Sequence, residues 1–154
     1  MPGPRAAWAL AFYAAAACGC GGPAENLTDE TAERLRQVTL AYVQHAAQNR
    51  GIGPADAAQL RTALSAGQGL AADEVETCLI SPRDGLPWAV RWGKRPLGDA
   101  PLGPAPPRPE IVAFERQGID GVRYAGDGRV SVRPYDAASF AAAVPDAEQF
   151  VPSP

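Results

Sequence analysis

Ser81-Pro82-Arg83-Asp84-Gly85 places a hydroxyl, a guanidinium and a carboxylate within five residues, and Trp88, Arg91 and Trp92 follow closely. A serine nucleophile needs a base to take its proton. The single histidine, His45, belongs to a different predicted element, and neither a Gly-x-Ser-x-Gly elbow nor a serine-lysine motif occurs. Pro82 fixes φ and Asp84-Gly85 supplies the positive-φ positions of a tight turn, so the pentapeptide reads as the entrance to a strand. No catalytic residue is assigned and the chain is not expected to be an enzyme. The one enzyme-class alternative is a small envelope hydrolase using Asp84 or Asp120 with a neighbouring arginine.

Metal chemistry has equally little to work with. Asp84-Gly85, Asp120-Gly121 and Asp127-Gly128 each fall at a predicted strand junction, outside the D-x-D-x-D-G pattern of a calcium loop. Cys18-Gly-Cys20 with His45 lacks zinc-ligand spacing and a second ligand pair, and no c-type haem signature is present. No metal and no cofactor is expected.

Binding remains. The 14 basic and 17 acidic side chains give no global attraction to nucleic acid. Their distribution is uneven, with basic residues in excess from 81 to 133 and acidic ones from 25 to 80. Arg83, Trp88, Arg91 and Trp92 therefore form a candidate partner surface. The competing assignment puts one tryptophan in the core and leaves the arginines solvated.

The elements that must position these residues begin after an N-terminal targeting segment. Arg5 precedes twelve apolar residues, Ala6 to Ala17, which end at Cys18-Gly19-Cys20. As a helix this run spans about 18 Å, short of the roughly 30 Å hydrocarbon core, and it reads as a signal-peptide h-region. Small residues ending in cysteine resemble the lipobox of bacterial lipoproteins, whose cysteine is acylated as the first mature residue; here Cys18 or Cys20 fills that role. Ordinary signal cleavage after Ala17 is the alternative. Several acyl chains, at about 0.8 kcal/mol per buried methylene, hold a protein firmly to a membrane. Cys78 is the remaining cysteine, and pairing with Cys20 stays open.

The residues beyond assign an α+β fold. A signal peptide over 1–20 and a tether over 21–27 lead into a single domain over 28–150. Thr28-Asp29-Glu30 opens a long helix with Leu35, Val38, Tyr42, Val43 and Ala46 on one face. Residues 55–66 form a short helix carrying Leu60 and Leu64, stopped by Gly67 and Gly69. Strands follow at 88–92 and 110–116, with a hairpin of 121–125 and 129–133 about Gly126-Asp127-Gly128. The two helices pack on this antiparallel meander of three to four strands, and Asp136 caps a short C-terminal helix, 137–144. Lys94 to Pro109 holds six prolines in sixteen residues and is a surface loop.

In this order the chain resembles a family of planctomycete cell-envelope lipoproteins of unknown function. The likeness runs through Leu40-Ala41-Tyr42, the 53–58 segment before the short helix and Ser81-Pro-Arg-Asp-Gly85 to Pro87-x-x-Val90-x-Trp92-Gly93. It continues in Val112-Ala113-Phe114-Glu115, Gly118-Ile-Asp-Gly-Val-Arg-Tyr124 and the Phe140 helix, covering nearly all of the mature chain. The proline insert and Phe114, where the pattern has tyrosine, depart from it. The resemblance implies a place, the cell envelope facing the periplasm or exterior, and a fold, but no reaction. The helix and Asp-Gly meander also look like the globular part of type II secretion pseudopilins. The expectation is a membrane-anchored envelope lipoprotein acting as a non-catalytic binding or structural module, in contact with the membrane through its lipid and with other envelope proteins. The alternative is a secreted pseudopilin-like component of a secretion or surface assembly.

Overall fold

The computed structural model describes residues 23–98 and 109–150. The expected signal peptide, both candidate acylation sites and the centre of the proline-rich loop lie outside them. The fold is α+β, with four helices and one four-stranded antiparallel sheet in the order β1-β2-β3-β4.

Helix α1 spans Pro23–Gln48, so residues 23–27, expected as tether, are helical. Proline suits a first helical position because its missing N–H has no partner there anyway. Thr31, Leu35, Val38, Thr39, Tyr42 and Ala46 make its buried face, at the three-and-four spacing of an amphipathic helix. Helix α2, Ala57–Gln68, begins where the Asp56 carboxylate accepts from Gln59 N at 2.9 Å and ends at Gly69 with φ 69°. Helix α3, Ala72–Cys78, was not anticipated; only Val75 and Cys78 mark its buried side in seven residues.

The strands are shorter or shifted relative to expectation. β1 is Ala89–Val90, β2 Ile111–Phe114, β3 Val122–Asp127 and β4 Val132–Asp136. The hairpin turn falls at 128–131, beyond the expected Gly126-Asp127-Gly128, because Asp127 holds it from the strand end. Its Oδ1 accepts from Arg129 N at 2.9 Å and Ser131 N at 3.2 Å. Helix α4, Ala137–Ala143, is capped by Asp136 as expected, and a closing 3-10 turn covers Ala147–Phe150.

Both faces of the sheet are covered. On one, Val90, Val112 and Ala113 join Trp88 under α1, α2 and α3. On the other, Ala89, Ile111, Phe114 and Ala125 meet Phe140 and Val144, with the Phe114 and Phe140 rings edge to face at 5.1 Å. A register irregularity between Ile111 and Ala113 lets Ile111 and Phe114 share the second face.

Two close approaches fix α1 on its neighbours. A Cβ on Gly126 of β3 would lie 2.1 Å from Thr39 Oγ1, and one on Gly53 would lie 2.1 Å from the Tyr42 ring. The Tyr42 hydroxyl sits 2.6 Å from the Arg91 carbonyl and 2.8 Å from that of Lys94. Desolvation pushes its pKa up to about 12, so it stays a donor. Among the described residues no helix is long and apolar enough to cross a membrane.

Candidate functional site

The Ser81–Gly85 segment is a turn docked onto β2. Ser81 N donates to Leu86 O and Gly85 N to Ser81 O, each at 2.9 Å, and Gly85 has φ 68°. The Ser81 hydroxyl donates to Glu115 Oε1 at 3.0 Å and accepts from Arg83 N at 3.2 Å. Glu115 Oε2 takes Arg83 Nη1 at 3.0 Å and Tyr124 N at 2.8 Å, while the guanidinium lies 5.0 Å over the Tyr124 ring. Ser81 and Glu115 are fully buried. Burial pushes the Glu115 carboxyl above the ordinary glutamate value, against its bonds to Tyr124 N and Ser81 and the Arg83 charge. The hydroxyl therefore faces a structural carboxylate and no open space.

The aspartates named for a hydrolase are both turn residues. Asp84 Oδ1 accepts from Leu86 N at 3.0 Å, and its Oδ2 lies 3.2 Å from Gln117 N and 3.3 Å from Gly118 N. Each oxygen thus closes a loop. Asp120 is an exposed turn residue at φ 52°. Asp127 holds the hairpin described above. Among the described residues no three His, Cys, Asp or Glu side chains converge as metal ligands. Cys78 is a free, buried thiol, and desolvation pushes its pKa up to about 11; Cys20, with which pairing was left open, lies outside the described residues.

Of the four residues proposed for a partner surface, three are held inside the fold. Trp88 is 4% exposed and donates its indole N–H to Cys78 O at 2.8 Å, which assigns it to the core. The Arg83 side chain is 10% exposed and committed to Glu115. Arg91 is 11% exposed; it reaches Glu110 at 2.9 Å and Asp146 at 3.0 Å and lies over the Phe150 ring. Neither arginine is solvated, as the competing assignment had it, because each turns back onto acids fixed by the sheet or the closing turn. Trp92 alone is half-buried beside open space.

That space is a groove of about 160 Å³ between α2, the β1 region and the closing turn. Leu60, Trp88 and Val90 lie at its base, Trp92 and Phe150 line it, and Arg61 and Arg116 bring charge. Arg61 is engaged by Glu76 through two contacts, at 2.6 and 3.2 Å. Arg116 is different: its Nε is buried without a hydrogen-bond acceptor among the described residues. Sequence reasoning singled out neither Arg116 nor Phe150. The available signal was only that Arg116 follows an all-apolar strand and Glu115, and nothing in one dimension brings α2 and residue 150 to its side.

Comparison with family models, with curated proteins and with solved structures gives no match for the chain.

Proposed function

We propose that the chain is a membrane-anchored cell-envelope lipoprotein whose α+β domain is a non-catalytic binding module. The anchor reading rests on the apolar run ending at Cys18-Gly19-Cys20. The binding reading is carried by one observation: among the described residues the groove beside Trp92 is open and lined largely by apolar side chains, whereas Ser81, Asp84 and Glu115 are occupied with one another and with the backbone. Intact mass and membrane partitioning of the protein from its host test the anchor, with Cys18→Ser and Cys20→Ser compared. An acylated N-terminal cysteine, lost in one of the two variants, is expected. A free N-terminus in the soluble fraction sinks the lipoprotein reading.

The packing of long α1 across β2 and β3 of the meander favours a second reading, a pseudopilin-like component of a secretion or surface assembly. That reading requires co-purification with such a machine. Purification of the protein free of it under crosslinking would remove the alternative.

A further inference from the structure

We propose that the Asp120-Gly121 turn is a site of spontaneous isoaspartate formation in the folded protein, and that the fold protects the other two Asp-Gly junctions from the same reaction. The inference is independent of the lipid anchor and of the groove.

The chemistry needs two free groups on neighbouring residues. The backbone nitrogen of the second residue attacks the side-chain carboxyl carbon of the first and closes a five-membered succinimide. The new C–N bond replaces a C–O bond, and the carboxyl hydroxyl leaves with the amide proton as water. Water then adds to one of the two ring carbonyls. Opening at the side-chain carbonyl restores aspartate, whereas opening at the main-chain carbonyl leaves isoaspartate, with the chain running through the side-chain carbon. Nothing is oxidised or reduced. Glycine in second place favours ring closure because no Cβ crowds its nitrogen.

Asp84-Gly85, Asp120-Gly121 and Asp127-Gly128 are the Asp-Gly pairs of the chain, so residue type makes them equal and only structure separates them. Gly85 N donates to Ser81 O and Gly128 N to Glu110 O, each at 2.9 Å. The carboxylates are held as well, Asp84 by the backbone N–H groups of Leu86, Gln117 and Gly118 and Asp127 by those of Arg129 and Ser131. Asp127 and Gly128 are also buried, and a Cβ on Gly128 would lie 1.9 Å from Pro96 O. At both junctions the two reacting groups are committed elsewhere.

Asp120-Gly121 is the reverse. Ile119 N donates to Val122 O at 3.0 Å and Val122 N to Ile119 O at 2.9 Å, closing a two-residue loop whose φ values of 52° and 75° belong to a type I′ turn. Such a turn bonds the flanking amides and leaves the Gly121 N–H without an acceptor among the described residues. The Asp120 carboxylate likewise makes no hydrogen bond or ion pair among them. Both residues are exposed, and a Cβ on Gly121 would meet nothing within 4 Å. A loop tip is where the chain opens at least cost, so nitrogen and carboxyl carbon can meet there without unfolding the domain. Isoaspartate adds an atom to the backbone of the loop, which breaks its two-residue register and with it the approach of Arg83 Nη2 to Ile119 O, now 3.4 Å.

The test incubates the full chain at neutral pH, in buffer and separately in unfolding urea, and follows the three Asp-Gly peptides by mass spectrometry with fragmentation that distinguishes isoaspartate from aspartate. In buffer, conversion at Asp120 should be at least about tenfold faster than at Asp84 or Asp127. In urea the protection is gone and the three rates should converge to within about threefold. Conversion at Asp120 no faster than at the other two in buffer overturns the proposal. A preference of the same size kept in urea also overturns it, because the neighbouring sequence and not the fold would then set the rate.

Discussion

Ser81 Oγ donates to Glu115 Oε1 at 3.0 Å across thirty-four residues of chain. The same carboxylate accepts from Arg83 and from Tyr124 N, so one buried group ties the turn before β1 to β2 and β2 to β3. A buried charge is tolerated only when its lone pairs are met in this way. The arrangement accounts for a serine, an arginine and an acid lying together with no access to substrate.

Arg83→Leu tests this coupling. Removing one partner of a buried pair costs about 3 kcal/mol or more, and here the deficit depends on pH. The folded pKa of Glu115 is raised, so its stabilising contribution is complete below the unfolded value of about 4.3 and is lost as pH rises through the folded value. Taking Arg83 away raises the folded value further. The loss measured by urea denaturation should therefore be larger at pH 7 than at pH 4; equal losses would show that arginine and carboxylate are uncoupled.

Gly126→Ala should cost about 1–3 kcal/mol, the usual range for overpacking, because the new methyl would meet Thr39 Oγ1 at 2.1 Å. Thr39→Ala removes that atom. In the double variant the glycine substitution should cost measurably less than in the wild-type background, and additive losses would place α1 further from β3 than described.

How much of this was legible in the sequence varies with how local the cause is. Helix α1 was readable because Leu35, Val38, Tyr42 and Ala46 repeat at helical spacing, and α4 because Asp136 is a local cap. Helix α3 carries just two buried positions in seven residues, too few to show a period. The Asp84-Gly85 turn was legible from its own residues, but the backbone donors its carboxylate meets, Gln117 and Gly118, lie more than thirty residues on, past β1 and β2. The groove is less local still. Its parts come from α2, the β1 region, Arg116 and Phe150, and the unmet Nε–H of Arg116 is a fact of packing with no trace in composition.

Cys78 should be inert in the native protein. Its thiol is buried, its pKa is pushed up to about 11, and alkylation proceeds through the thiolate. Iodoacetamide labelling of Cys78, located by peptide mass, should follow the unfolding curve in urea. Labelling well below the unfolding midpoint would show that α3 opens on its own.

Val130 offers a stabilising substitution. It occupies the hairpin turn at φ 60°, a left-handed conformation that costs an L-residue about 1–2 kcal/mol and that asparagine adopts more readily. Its N–H still donates to Asp127 O at 2.8 Å, a bond that any residue except proline preserves. The side chain is half-buried, so losing its apolar contact offsets part of the gain; full burial of a valine is worth about 1.5 kcal/mol or more, and half of that is smaller than the relief. Val130→Asn should therefore gain about 0.5 kcal/mol and raise the melting temperature by about 2 °C. A lowered melting temperature would mean that the valine side chain contributes more to the β3–β4 end than its left-handed backbone costs.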